Sequence, residues 1–219
     1  MKVGVIGSGQ VGQVLANGFL KHGHSVMRGT RDASKLEAWA AGAGERGSVG
    51  SPEEAARTAD LVVLAVKGSA AEDAVRLCGA HNLSGKTVID TTNPIADAPP
   101  QDGVLRFFTT LDESLMERLQ RAAPEARFVK SFSCVGNALM VDPELPGGRP
   151  TMFICGNHQG AKDQVRAILD DFGWDAEDLG SATAARAIEP LCMLWCIPGF
   201  LRNDWVHAYK VLRPGKQAS

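Results

Sequence analysis

Gly7-Ser8-Gly9-Gln10-Val11-Gly12 stands between the apolar run Lys2-Val3-Gly4-Val5-Ile6 and Val14-Leu15-Ala16-Asn17-Gly18-Phe19-Leu20, a stretch with helical spacing. Glycines at this spacing, after a strand and before a helix, are the fingerprint of a dinucleotide-binding turn. Gly7 permits the tight strand-to-helix turn, Gly9 lets the backbone approach a pyrophosphate, and Gly12 brings the helix against the strand. The pyrophosphate would rest on unpaired N–H groups at the positive end of the helix, with Ser8, Gln10 and Val11 completing the loop.

The residues after the second strand discriminate between dinucleotides. An NAD site usually places an acid there, about 20 residues after the first glycines, to bond the ribose 2′-OH. The strand reads His24-Ser25-Val26-Met27-Arg28, and no acid occupies positions 27 to 29. Thr30 offers a hydroxyl, Arg31 a fork of donors and Lys35 a point charge one helical turn later. A 2′-phosphate suits that set, because guanidinium binds phosphate oxygens in pairs. NADP(H) is therefore expected rather than NAD. Asp32 reads as the N-cap of a helix starting near Ala33. Arg28 stays open: if strand alternation turns it outward, it is a solvated surface charge.

Bulk properties narrow the function classes. A chain of 219 residues is long enough for a proper core and suits one domain or little more. A net charge of −2 argues against a general nucleic-acid surface. No apolar run approaches the ~20 residues needed to span a bilayer, so no membrane partner is expected. The chain enters a strand at once, so no signal peptide is expected either. Five cysteines without C-x-x-C spacing read as reduced thiols of a cytoplasmic protein. Cys192 and Cys196, four apart, suit core filling on one helical face, and no metal site is expected.

The elements that must position the glycine loop alternate strand-like and helix-like, which signals a parallel sheet. Ser51-Pro52-Glu53-Glu54 is a capping box with proline at the first helical position, starting a helix that runs to about Ala59. Leu61-Val62-Val63-Leu64-Ala65-Val66 is a continuous apolar strand of the kind buried on both faces. An Ala-rich helix over 69–79 and the strand Thr87-Val88-Ile89-Asp90-Thr91 follow. Residues 96–105, with two consecutive prolines, look least structured. Beyond them are expected a helix near 112–123, strands at 127–132 and 151–156, a helix over 158–171, and a short edge strand at 174–179. From Ala182 the chain looks helical and apolar, interrupted by Pro198-Gly199, with His207 in the last helix. The expected fold is α/β: a doubly wound, mainly parallel Rossmann sheet over residues 1–180. Residues 181–219 form a short helical C-terminal extension that completes an acceptor site or a homodimer interface.

Ligands of open parallel sheets bind beyond the carboxyl ends of the strands. That rule gathers residues 7–12, 29–31, Ala65-Val66-Lys67-Gly68, 92–95 and 133–136 on one rim. Asn93-Pro94 fixes a loop whose asparagine offers both donor and acceptor. No catalytic dyad is evident. Hydride transfer needs none, since the cofactors carry the chemistry and the protein holds the rings in register.

These motifs resemble the F420-dependent NADP oxidoreductase family, whose fold also forms the cytosolic domain of the STEAP ferric reductases. The likeness rests on residues 7–12, Gly29-Thr30-Arg31, Leu64-Ala65-Val66-Lys67, Val88 to Pro94, and Val129-Lys130-Ser131-Phe132. Thr151 to Gly156 and Ile188-Glu189-Pro190-Leu191 complete it. It implies hydride transfer between NADPH and a deazaflavin such as F420, with Thr30, Arg31 and Lys35 at the 2′-phosphate. The small-molecule hydride acceptor would lie across the nicotinamide, near Asn93, Pro94, Cys134, Val135 and the C-terminal helices. Ser133-Cys134 stands where many relatives carry asparagine, and the segment 191–200 offers little to an acidic polyglutamyl tail. FMN and FAD therefore stay open as acceptors beside F420. Two other readings also stay open: an NADPH-dependent reductase of a small metabolite or quinone, and a non-catalytic NADP(H) sensor. A membrane-coupled ferric reductase is not expected.

Overall fold

The computed structural model describes residues 1–214; the last five residues of the expected C-terminal segment lie outside it. Strand β1 (Lys2–Ile6) feeds helix α1 (Gln10–Lys21), and β2 (Ser25–Gly29) is followed by a 3₁₀ turn and α2 (Glu37–Gly42). Next come β3 (Gly47–Gly50), α3 (Pro52–Thr58), β4 (Leu61–Leu64), α4 (Ala71–Cys78), α5 (Ala80–Leu83) and β5 (Thr87–Asp90). The chain continues through α6 (Leu115–Ala122), β6 (Arg127–Lys130), β7 (Thr151–Ile154), α7 (Gln159–Asp171) and β8 (Asp175–Asp178). It then enters α8 (Ala185–Ile188) and α9 (Leu191–Arg202).

Six strands pair in parallel in the order β3-β2-β1-β4-β5-β6. The order reverses direction between β1 and β4, the switch point at which doubly wound sheets open a crevice for ligand. Strands β7 and β8 form a separate parallel pair. It joins the main sheet through one antiparallel bridge, Lys130 N–H to the Cys155 carbonyl at 3.0 Å.

Burial follows the two-sided pattern of a central parallel sheet. Leu61 and Val63 of β4 enter one core with Leu15, Phe19 and Phe172, while Val62 and Leu64 enter the other with Ala55, Val75 and Leu119. The capping box at Ser51 forms, its hydroxyl accepting from Glu54 N–H and the Glu54 carboxylate accepting from Ser51 N–H. A third, smaller cluster joins Cys192, Trp195 and Cys196 of α9 to Ile95, Leu105, Phe107, Trp205 and Tyr209.

The structure departs from the sequence reading in several places. Strand β3, Gly-Ser-Val-Gly, carries a single apolar side chain and gave no periodic signal. Residues 96–105 are not formless: Ile95 bridges Phe107 and Gln101 bridges Val104, making a short antiparallel hairpin beside the rim. Helix α9 continues through Pro198 and ends at Asn203, which adopts the left-handed conformation (φ 56°). Gly199 answers a packing need instead of a break, since a Cβ there would lie 2.3 Å from the Trp205 ring.

Among the described residues, those after Asn203 form no helix. They run as a strap along β7, with Thr151 N–H donating to the Tyr209 carbonyl and Val211 N–H to Thr151 Oγ1. His207 lies in this strap, stacked on Trp195 with centroids 5.1 Å apart. The run Ala182–Arg202 is 21 residues with mean hydropathy 1.3, long and apolar enough by composition to cross a bilayer, contrary to expectation. Its inner side, however, packs Ala185, Ile188, Cys192 and Trp195 into the protein.

Candidate functional site

The rim at the carboxyl ends of the strands is organised by the glycine loop. Gly7 has φ 135°, and a Cβ there would fall 2.1 Å from the Ala65 carbonyl oxygen. A Cβ at Gly12 would meet the Gly7 carbonyl at 2.9 Å, whereas at Gly9 it would meet nothing within 4 Å. The first and third glycines thus close the turn and seat the helix, and the second leaves its backbone bare. Helix α1 has Gly9 as its N-cap, with no side-chain cap and no acid in its first turn. Its free N–H groups keep their partial positive charge for an anion.

Two cavities flank the loop. The smaller, about 100 Å³, is lined by Gly7, Ser8, Thr30, Arg31 and Val66, together with Pro52, Asp73 and Leu77. The larger, about 750 Å³, is lined by Gly9, Gln10, Val11, Ala65, Val66, Lys67 and Asn93. Ser69, Thr91, Thr92 and the Ile95–Pro99 arm of the hairpin complete its wall. Val66 belongs to both cavities, so the pair forms one path over the glycine loop. An extended dinucleotide suits this shape, with adenosine in the narrow end and the reactive ring in the wide one.

At the narrow end, Arg31 is exposed and makes no hydrogen bond or ion pair among the described residues. Asp32 is turned away by its capping role: it accepts from Ser34 N–H at 3.2 Å and from the Ser34 hydroxyl at 2.6 Å. That hydroxyl bond holds the Asp32 carboxyl below its ordinary value. Thr30 Oγ1 accepts from Asp32 N–H at 3.2 Å, which fixes the loop carrying Arg31. Lys35 stands 3.9 Å from the Asp32 carboxylate and lines neither cavity.

At the wide end, Gly68 lets two strand ends meet, since a Cβ there would lie 1.9 Å from the Asn93 carbonyl. Asn93 Nδ2 donates to the Ser133 carbonyl at 2.7 Å. Among the described residues, Asn93 Oδ1, buried in the wall, has no hydrogen-bond partner, and neither have the buried hydroxyls of Ser131 and Ser133. An orphaned acceptor beside the cavity fits the N–H donor of a carboxamide such as that of nicotinamide. Pro94, Cys134 and Val135 are buried behind the wall and line neither cavity. Burial pushes the Cys134 thiol up to about 12, so it is a neutral packing group.

Behind the wall lies an ion cluster of Lys130, Asp90 and Glu189; the sequence left Glu189 as either a buried carboxylate with a partner or an exposed end, and it is the former. Lys130 Nζ, fully buried, sits 2.7 Å from Asp90 and 2.8 Å from Glu189 and donates to the Thr92 carbonyl at 2.8 Å. Glu189 also accepts from Leu115 and Met116 N–H at the start of α6. Asp90 Oδ1 accepts from Thr92 N–H and its hydroxyl. Burial alone would lower the Lys130 pKa, but the two carboxylates raise it above its ordinary value. The cluster therefore pins Thr92, and with it the start of the Asn93-Pro94 loop. Asp90 and Lys130 end adjacent strands in matched register, a signal legible once those strands are paired.

Arg28 resolves differently from a surface charge. Its side chain is fully buried beneath the glycine loop, with Nη2 donating to the carbonyls of Gly7 at 3.1 Å and Gly9 at 3.2 Å. No histidine lines either cavity. His22 is held by Asp142 and His158 caps α7.

Comparison with known proteins places this rim in a family. Residues 2–94 match the family model described as NADP oxidoreductase, coenzyme F420-dependent. A candidate F420-dependent NADP-reductase from Arthrobacter sp. FB24 superposes with TM-score 0.91 at 32% identity, covering 97% of this chain and 100% of that one. Rat metalloreductase STEAP3 is 29% identical over 206 residues, 91% of this chain and 39% of that protein. The chain thus spans about two-fifths of that relative's length. A reductive aminase from Aspergillus terreus, solved with NADPH and ethyl levulinate, has TM-score 0.66 over 92% of this chain and 62% of its own. At 19% identity, that likeness speaks for the fold alone. The Rossmann order, the glycine loop and the full-length match to the Arthrobacter structure agree: this chain belongs to the F420-dependent NADP oxidoreductase family, a family of NADP-dependent oxidoreductases.

Proposed function

We propose that the protein transfers hydride between NADPH and a flat flavin-like acceptor, a deazaflavin of the F420 type or a flavin such as FMN or FAD. The observation that carries this reading is the continuous path from Arg31 over the glycine loop into a roomy cavity. That cavity, about 750 Å³, has space beyond a nicotinamide ring for a second planar ring. When bound, NADPH supplies the hydride and the acceptor takes it. The protein's part is to hold and screen. Arg31 and Thr30 grip the 2′-phosphate, the first turn of α1 takes the pyrophosphate, and Asn93 Oδ1 orients the carboxamide. Ile95 and Pro99 shield the ring face from water.

Hydride transfer between two rings needs no dedicated acid. A ketone or imine reductase needs a proton donor at the reacting atom, for which the lining offers Lys67 and Asp97 and no histidine or tyrosine. We further read the exposed Leu194 and Leu201 of α9 as a homodimer face. The five cysteines are free and buried, which agrees with a cytoplasmic protein.

The experiment is a screen for NADPH oxidation, followed at 340 nm, with F420, FMN, FAD, quinones and small ketones or imines as acceptors. The reading expects turnover with at least one flavin or deazaflavin and none with ketones or imines. Turnover confined to a ketone, imine or quinone would overturn the acceptor assignment, and binding without turnover would favour a sensor.

A further inference from the structure

Strand alternation carries Arg28 into the layer between β2 and α1, where a long cation is out of place. It is fully buried, and its guanidinium packs over the Trp39 ring with its carbon 5.2 Å from the centroid. Trp39 is held in turn by a bond from its Nε1 to Asn17 Oδ1 at 2.7 Å. Gly12 makes room, since a Cβ there would approach Arg28 Nη2 to 3.4 Å. Among the described residues no carboxylate pairs with Arg28, and its Nε, buried, has no hydrogen-bond partner. A buried charge lacking a counter-charge is costly, and such groups cluster where a ligand supplies the missing charge.

The two carbonyls that Arg28 holds belong to the glycine loop itself. A trans peptide points its C=O and the following N–H in opposite directions. Drawing the Gly7 carbonyl down toward Arg28, and the Gly9 carbonyl toward both Arg28 and the Gln13 N–H at 3.1 Å, therefore turns the N–H groups of Ser8 and Gln10 outward, toward the cleft. We propose that Arg28 is a positioning residue for the pyrophosphate. It locks the loop with these N–H groups presented to the ligand, and its own charge is balanced by the pyrophosphate from beneath the loop. The inference rests on reading the cleft as a dinucleotide site. It adds that recognition of the pyrophosphate, which NADP and NAD share, depends on Arg28, whereas discrimination between them falls to Arg31.

The test uses the full chain with Arg28→Met and Arg28→Lys, titrated calorimetrically with NADP⁺ and with NAD⁺ at low and moderate salt. Circular dichroism and the urea midpoint check that each variant is folded. Arg28→Met is expected to weaken both dinucleotides by the same factor, thirtyfold or more, leaving their ratio unchanged and flattening the salt dependence. Arg28→Lys keeps the charge but cannot fork across two carbonyls, and is expected to lose threefold to tenfold for both. A folded Met variant binding NADP⁺ within twofold of the parent overturns the proposal, as does a loss confined to NADP⁺. Should the Met variant not fold, wild-type affinity in the Lys variant overturns it equally. If the parent binds neither dinucleotide, the reading of the cleft itself has failed, and this is seen before any variant is made.

Discussion

Replacing Lys130 by methionine removes one ammonium and strands two carboxylates. The side chains of Lys130 and Asp90 are 0% exposed and that of Glu189 is 2%, so water reaches none of them. With lysine present the three groups sum to one negative charge; without it they sum to two, about as close together as the shared ammonium allowed. Breaking a buried pair from one side costs about 3–5 kcal/mol, because the remaining charge is uncompensated. The bond to the Thr92 carbonyl is lost as well. Taking about 4 kcal/mol and an m-value of about 2 kcal/mol per molar urea, the midpoint should fall by about 2 M.

The penalty is electrostatic, so neutralising the stranded carboxylates should relieve part of it. Asp90→Asn and Glu189→Gln added to Lys130→Met should recover about half the loss. A midpoint within about 0.3 M of the parent, or a deficit that the two added amides leave unchanged, would show the reasoning wrong. Either would mean that the carboxylates are hydrated when the cation leaves.

Other expected outcomes follow from single contacts. Gly9→Ala should leave the urea midpoint within about 0.5 M, since its Cβ meets open space, yet weaken NADP⁺ at least tenfold by calorimetry because that space belongs to the ligand. Gly68→Ala, whose Cβ would sit 1.9 Å from the Asn93 carbonyl, should instead lower stability by at least about 2 kcal/mol in the same melts. The bond from Arg186 holds Glu117 down to about 2. A carboxyl depressed on folding contributes stability that is complete above its unfolded pKa and is lost as pH falls from there toward about 2. Glu117→Gln should therefore cost about 1.5 kcal/mol at pH 7, in line with a charged hydrogen bond, and almost nothing near pH 2, measured by thermal melts across that range.

Legibility in the sequence tracked how local the cause was. The glycine loop, the Ser51 capping box and the Leu61–Leu64 strand are set by near neighbours, and each appears where its motif puts it. The strand ends were read one or two residues too long. Asp90 and Lys130 close β5 and β6, and Phe132 then turns through φ 58° with its ring buried at 1% exposure. That strained turn is imposed by packing against Met152 and Phe172, which no local pattern reveals. Pro198 failed as a helix breaker for a similar reason: Trp195, Trp205 and Phe107 hold α9 together across the missing bond. Within the site, Thr30, Arg31 and Asn93 reach the cavities, while Lys35, Pro94, Cys134 and Val135 do not. Arg28 was ambiguous because strand alternation gives a face, and only the tertiary fold shows that this face lies beneath the glycine loop.

On this reading the rim is built for a 2′-phosphorylated dinucleotide, gripped by an Arg31 that makes no hydrogen bond or ion pair among the described residues. Calorimetric titration of the parent and of Arg31→Ala with NADPH and NADH tests it most directly. NADPH should bind more tightly than NADH by tenfold or more, at least ~1.4 kcal/mol, with the margin lost in the variant and NADH affinity unchanged. Equal affinities in the parent, or a preference for NADPH that survives the substitution, would contradict it.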